Sequence, residues 1–292
     1  MKITVVKPVG YCAGIRNAVN IAMKARQDYP NKRVIVIGLL AHNSAVIDEL
    51  TKNGIETFYD PTYPMDRLVS AAPYGSVIIF PCYGHDEKLQ VIANRRGLIV
   101  YDAICPKIKY NFSRIKAEIN AGHQVIFIGQ HRHDETNAVL SISKEVLLYD
   151  LQQKFDYLDV RDYSPFVTSQ STLNVLNLTN IHKDIYSCIP NARISDEVCN
   201  STRIRQQAIQ DLPDTVDLIV IVGEEMSTST TRLFELTKMY HPNTLCIMIS
   251  NESEIENSLF IDKKHVAIAS GGETPLKTVE AVVNHIKNIR TR

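Results

Sequence analysis

Three cysteines at nearly equal intervals constrain this 292-residue chain more than any other feature. Cys12 and Cys105 are 93 residues apart, and Cys105 and Cys199 are 94 apart. Each follows a short apolar run and opens a helical pattern. Around the middle one, Ile99-Val-Tyr-Asp-Ala-Ile leads to Cys105-Pro106, and an amphipathic stretch to Ile115 begins at once. Pro106 suits the first helical position, where its missing N–H leaves no bond unmade. Cys105 is thereby placed at a helix N-terminus, where exposed N–H groups and the positive end of the dipole favour a thiolate. Upstream, Ile3-Thr-Val-Val-Lys precedes Cys12, and Ile15, Val19 and Ala22 continue with helical spacing. Downstream, Ala192-Arg-Ile precedes Cys199, and Ile204, Ala208 and Leu212 are expected on one helix face. The chain reads as three equivalent thirds, bounded at 1–97, 98–190 and 191–292.

A repeat of this kind fixes the architecture, and the rest of the sequence follows it. Each cysteine is succeeded by a second apolar strand ending in glycine, at Gly38, Gly129 and Gly223. Those glycines lie 26, 24 and 24 residues beyond their cysteines. Four residues further stand His42, His133 and Ser227, each expected at a helix N-terminus. A third strand-loop-helix unit closes each third: Val77-Ile-Ile-Phe-Pro-Cys-Tyr-Gly84, Phe166-Val-Thr-Ser-Gln170-Ser-Thr, and His265-Val-Ala-Ile-Ala-Ser-Gly-Gly-Glu273. Continuous apolar strands alternating with helical patterns predict parallel sheets buried on both faces. The expected fold class is α/β, with three similar lobes in a pseudo-threefold trefoil. Ligands of such sheets bind beyond the carboxyl ends of the strands, so one central site is expected.

Composition narrows the function. Lys plus Arg equals Asp plus Glu, 32 against 32, which gives no electrostatic reason to expect nucleic acid or an anionic membrane as partner. The N-terminus lacks a signal-peptide apolar run, and no window is long enough to span a bilayer, so a cytoplasmic protein is expected. Six cysteines in a reducing compartment read as metal-binding or inert rather than as a disulfide framework. Cys246 lies in an apolar strand, Cys188 falls in a loop reading, and Cys82 is out of phase with the repeat.

Three thiolates drawn from separate lobes suit zinc or an iron–sulfur cluster. No Cys-x-x-Cys pair of the structural-zinc kind is present, whereas a three-cysteine catalytic zinc stays open. A [4Fe–4S] cluster held by three cysteines leaves one iron able to bind a substrate oxygen while the cluster delivers electrons. His42, His133, Ser171, Thr172, Ser227, Thr228 and Ser229 supply donors suited to an anion. Glu135, two residues past His133, is the carboxylate placed to donate a proton, unless it only complements a helix dipole.

With these residues in place, the chain resembles the hydroxymethylbutenyl diphosphate reductase family, LytB/IspH, of the non-mevalonate isoprenoid pathway. The resemblance spans nearly the whole chain and rests on Gly10-Tyr-Cys12-Ala-Gly, Ala41-His42-Asn43, Asp102-Ala-Ile-Cys105-Pro, Gly129-x-x-x-His133-Asp-Glu135, Gln170-Ser-Thr172-Leu and Cys199. It implies that Cys12, Cys105 and Cys199 ligate a central [4Fe–4S] cluster, that His42 and His133 bind diphosphate, and that Glu135 relays protons. It also implies that Ser171 or Thr172 and Ser227 position substrate. The implied reaction is the two-electron, two-proton removal of an allylic hydroxyl, with electrons from a ferredoxin or flavodoxin system. Departures gather in the diphosphate subsite. Cys82-Tyr83-Gly84 stands where the family carries Ala-His-Gly, with His85 two positions on from Tyr83. Ser227-Thr228-Ser229 replaces Ser-Ser-Asn, and Glu273 replaces a serine. Two further readings follow from them: a retained cluster acting on a less anionic substrate, and a cluster-bearing sensor without turnover.

Overall fold

The computed structural model describes residues 1–289. Leading to and beyond Cys12 come β1 (Lys2–Val5), α1 (Ala13–Asp28), β2 (Val34–Ile37), α2 (Ser44–Lys52), β3 (Ile55–Phe58), α3 (Met65–Ala71), β4 (Val77–Phe80) and α4 (Lys88–Arg95). Around Cys105 follow β5 (Ile99–Asp102), α5 (Pro106–Asn120), β6 (Val125–Gly129), α6 (Asp134–Leu140), β7 (Val146–Asp150), β8 (Phe166–Ser169) and α7 (Val175–Cys188). Around Cys199 follow β9 (Arg193–Ile194), α8 (Asn200–Gln210), β10 (Leu218–Val222), α9 (Thr228–Tyr240), β11 (Leu245–Ile249), β12 (His265–Ser270) and α10 (Leu276–Asn288).

The strands form three four-stranded sheets, ordered β3-β2-β4-β5, β7-β6-β8-β9 and β11-β10-β12-β1, and every pairing is parallel. This is the expected α/β class with three lobes. The sheets are nevertheless cut differently from the thirds. The strand that leads to each key cysteine pairs with the sheet before it: β5 joins β4 through Ile78 opposite Val100, and β9 joins β8 through Val167 opposite Ile194. By the same rule β1, ahead of Cys12, pairs with β12 through Ile3 opposite Val266. A boundary drawn just before the strand divides two segments that hydrogen bonds unite.

Two compact units result. One comprises Met1–Ala13, Ala41–Val46 and Cys199–Arg292; the other comprises Gly14–Leu40 and Ile47–Val198. In the first unit, Leu218, Val220 and Val222 of β10 pack with Val279, Val282 and Ile286 of α10. The alternate residues Ile219 and Ile221 face Ile209 of α8 and Leu233 of α9. In the second unit, Val125 and Phe127 of β6 meet Ile108, Phe112 and Ile115 of α5, while Ile126 and Ile128 meet Leu178 and Ile185 of α7. Both faces of the central strands are thus covered, which is why β2, β6 and β10 are apolar without alternation.

Two sequence expectations are corrected. Ile204 is exposed, and the buried side of α8 is Arg205, Gln206 and Ile209. A pattern that counts apolar residues passes over a helix whose inward face carries a guanidinium. Cys188 is the last residue of α7 and exposed, not a loop residue. Cys246 is half-buried on β11 beside Ile219, and burial pushes its thiol up to about 12.

Candidate active site

In the unit built on β2 and β6, Cys105 is the residue immediately ahead of α5, with Pro106 in the first turn. Its N–H donates to the Cys82 carbonyl at 2.9 Å, and its carbonyl accepts from the Lys109 N–H at 2.9 Å. The sulfur makes no capping hydrogen bond, so it stands at the positive end of a 15-residue helix.

Glu135, in the first turn of α6, is only 1% exposed. Its two carboxyl oxygens accept from the Ser171 N–H at 3.0 and 3.2 Å, and one accepts from the Ser171 hydroxyl at 2.7 Å. Burial raises this carboxyl from 4.5 to about 7, although the Ser171 bonds and the Lys107 charge pull the other way. Such a group holds a proton at neutral pH and gives it up readily, as a general acid must.

The same shift makes a stability prediction. The folded protein binds this proton more tightly than the unfolded chain, so its contribution is complete below about pH 4.5 and is lost as pH rises through about 7. The shift from 4.5 to about 7 corresponds to roughly 3 kcal/mol. Glu135→Gln is therefore expected to be more stable than the parent at pH 8 by about 1–3 kcal/mol, with the gap closing near pH 5. Urea unfolding at the two pH values measures this, and an equal gap at both would show that the carboxyl is not perturbed.

His133 caps α6 through its ring: Nδ1 accepts from the Glu135 N–H at 3.2 Å. The neutral ring must then carry its proton on Nε2, which makes that atom a donor. Tyr83 is buried and meets the His133 ring edge-on, with centroids 5.8 Å apart and planes at 81°. It thus holds the histidine's orientation. Gly84 follows it with φ +89°, and a Cβ there would lie 2.6 Å from the Phe112 ring, so the turn requires glycine. His85 stacks on Phe80 at 3.9 Å and has Asp102 as neighbour. Thr172 accepts from the Gln170 side-chain amide at 2.8 Å, which directs the hydroxyl proton away from Gln170. Gln170 is buried and its other end accepts from the Gln130 N–H at 3.0 Å. The sequence shows its amide only as part of a motif, not as the part that aims Thr172.

In the other unit, Cys12 directly precedes α1 and Cys199 directly precedes α8. Arg205 is buried, and burial pulls its guanidinium below the ordinary value against the opposing effect of Cys12 and Cys199. Ser227 caps α9, accepting from the Thr230 N–H, and Thr228 opens that helix. Ser229 pairs with Ser227 at 3.0 Å and accepts from the Gly272 N–H at 3.2 Å. Glu273 is buried within this set. It accepts from the His42 N–H at 2.6 Å and from the Ser227 hydroxyl at 3.1 Å, and its carboxyl lies 3.7 Å from His42 Nδ1. His42 stands two residues ahead of α2, one short of the expected cap position, which Asn43 fills by accepting from the Ala45 N–H. Next to it, Ser44 donates through its N–H and hydroxyl to Glu224.

None of the six cysteines is in a disulfide, and among the described residues no three His, Cys, Asp or Glu side chains are gathered as ligands of a single metal ion. No described helix is long and apolar enough to cross a membrane.

Comparison with known proteins places this arrangement. The profile of the LytB protein family matches residues 3–287. A 4-hydroxy-3-methylbut-2-enyl diphosphate reductase from Malacoplasma penetrans is 31% identical over 283 residues, covering 94% of this chain and 93% of that protein. The reductase of the same name from Shouchella clausii is 26% identical over 290 residues, covering 99% and 91%. The solved structure of E-1-hydroxy-2-methyl-but-2-enyl-4-diphosphate reductase from Plasmodium falciparum superposes with a TM-score of 0.87 at 19% identity, over 98% of this chain and 88% of its own, a likeness of fold. With the match running through all three sheets and all three key cysteines, the chain belongs to the LytB protein family.

Proposed function

We propose that this protein is a reductase of the 4-hydroxy-3-methylbut-2-enyl diphosphate type, converting an allylic alcohol, two electrons and two protons into the allylic C–H compound and water. The observation that carries this reading is Glu135: a sealed carboxyl near neutral pKa, fixed by both polar groups of Ser171. The proposed cluster ligands are Cys12, Cys105 and Cys199. Their chemistry fits a sulfur-ligated centre, since each stands immediately ahead of a helix, at the end where backbone N–H groups are exposed, and the buried Arg205 lies on the helix that Cys199 opens. When bound, a [4Fe–4S] cluster supplies electrons and Lewis acidity toward an oxygen substituent.

The remaining roles fall to the chain's own side chains. Glu135 gives one proton to the departing hydroxyl, which leaves as water, and Ser171 N–H and O–H steady the carboxylate left behind. The second proton, taken from solvent and relayed through the same carboxyl, goes to the allylic carbon, which receives the two electrons and forms the new C–H bond. Thr172, its hydroxyl aimed by Gln170, and the Nε2–H of His133 orient the substrate. His42, Ser227, Thr228 and Ser229 are the proposed diphosphate donors, with Tyr83 holding His133. The electron donor is a ferredoxin or flavodoxin type of protein, and the setting is the cytoplasm; the zero charge balance supports no role on nucleic acid. Anaerobic assay of the cluster-loaded protein with reduced viologen and the allylic diphosphate tests the reading. Two electrons consumed per isopentenyl or dimethylallyl diphosphate released is the expected result, and a fully loaded protein without turnover overturns it.

Glu273 bears on affinity. Two of the proposed diphosphate donors, the His42 N–H and the Ser227 hydroxyl, are taken by its carboxylate. A carboxylate and a phosphate oxygen about 5 Å apart, at an effective dielectric near 20, repel by about 3 kcal/mol, roughly a hundredfold in affinity. Glu273→Ser is therefore expected to lower KM for the diphosphate by about ten- to a hundredfold with a smaller change in kcat. An unchanged or raised KM would show that Glu273 does not compete. The relatives favour neither a less anionic substrate nor a sensor without turnover.

A further inference from the structure

We propose that Arg205 is a positioning residue for the iron–sulfur centre: its buried guanidinium ties the loop before Cys12 to the helix that Cys199 opens and, as a fixed positive charge beside the centre, raises its reduction potential. The inference rests on the cluster reading above and goes beyond it.

Arg205 is 7% exposed; one arm reaches the loop before Cys12 and the other turns back along α8 to its first turn, just after Cys199. Nη2 donates to the carbonyl of Gly10, two residues before Cys12, at 2.7 Å. Nη1 donates to the hydroxyl of Ser201, two residues after Cys199, and to the Ser201 carbonyl at 3.3 Å. A third loop closes on the same place. The Gly272 carbonyl accepts from the Cys12 N–H at 2.8 Å. A Cβ at Gly272 would lie 3.4 Å from Cys12 Cβ, 3.9 Å from Cys12 Sγ and 4.0 Å from the Arg205 guanidinium carbon. The Gly272 backbone thus lies against both the sulfur and the guanidinium.

Arg205 Nε is buried and has no hydrogen-bond partner among the described residues. Burying a charged group with an idle donor is costly unless something else takes up the charge. The partners of its arms are two carbonyls and a hydroxyl, and none of them carries a negative charge. The group placed to take up that charge is the proposed sulfur-ligated centre, since a Cβ placed at Gly272 would lie 3.9 Å from Cys12 Sγ and 4.0 Å from the guanidinium carbon. Arginine stays charged across the accessible pH range, so this cation is permanent. Reduction adds one negative charge to a cluster, and a permanent cation at short range in a water-poor setting favours the reduced form.

The test uses the full-length protein reconstituted anaerobically with iron and sulfide, in the parent, Arg205→Gln and Arg205→Lys forms. The potential is read by redox titration followed by electron paramagnetic resonance, independently of turnover. Arg205→Gln is expected to be at least tenfold less reduced at any given poise, equivalent to 59 mV for a one-electron couple. Arg205→Lys, which keeps the charge and loses the fork, is expected to stay within threefold of the parent. A loaded Gln variant with the parent potential overturns the proposal. If the Gln variant does not load, the Lys variant decides, because a tenfold shift there would show that charge is not the determinant. A parent protein that takes up no cluster overturns the functional reading itself, whereas a loaded parent with an unmoved Gln variant overturns only the role of Arg205.

Discussion

Glu135→Gln is expected to lower reductive turnover by about 10²- to 10⁴-fold, the usual worth of a positioned proton donor, and to leave KM within a few-fold. Gln has the shape of the protonated acid, and the site can keep its bonds. Its amide oxygen accepts from the Ser171 N–H, now at 3.0 Å from a carboxyl oxygen, and its NH2 donates to the Ser171 hydroxyl, which turns to accept. Only the transferable proton is lost. The parent's own pH profile is expected to report the same group: turnover holds below about pH 7 and falls above it, as burial ceases to keep the carboxyl protonated. The variant's residual rate should show no such limb. A loss smaller than tenfold, or a variant that retains the descending limb, would assign the proton to another group. The gain in stability expected for this variant at pH 8 separates the chemical effect from damage to the fold.

Much of this was legible in the chain because three cysteines at equal phase fix three β-strand and helix sets, and each set repeats its glycine and its polar helix start. Pro106, Ile15 and Val19 behave as their local patterns predict. What escaped has a common physical cause, which is that pairing partners far apart in sequence leave no periodic trace. The carboxyl of Glu273 meets the His42 N–H across 231 residues, and Arg205 meets the Gly10 carbonyl across 195. The fourth strand of each sheet belongs with the preceding strands because its backbone finds a ladder there, although its sequence position points forward. Arg205 carried one readable signal, its phase one turn beyond Ser201 on the helix after Cys199, and apolar counting preferred Ile204 in its place. Tyr83 reads as a lost histidine in sequence; in the structure its ring braces the histidine that remains.

Single serine replacements at Cys12, Cys105 and Cys199 are each expected to abolish iron binding and turnover, an effect larger than the roughly 10–100-fold cost of losing an outer partner of a metal site. Serine oxygen is a hard and weakly acidic donor, poorly matched to an iron–sulfur core. The same replacement at Cys82, Cys188 or Cys246 is expected to leave iron content unchanged, and each for its own reason. Cys246 has its thiol pushed up to about 12 by burial and stays protonated. Cys188 is exposed as the last residue of α7, away from the helix N-termini that carry the three proposed ligands. Cys82 is buried with its sulfur 3.6 Å from the Leu40 carbonyl, to which it donates. Iron and sulfide per chain, with visible absorbance, provide the measurement. Unfolding is separated from loss of the ligand by the helices themselves: Cys105 and Cys199 make no capping hydrogen bond, and serine is a preferred cap. The metal-free Cys105→Ser and Cys199→Ser proteins should therefore melt at or slightly above the temperature of the metal-free parent. If Cys105→Ser kept full iron, the sulfur at the head of α5 would not be a ligand, and the proposed reduction would lose its redox centre whatever Glu135 can do.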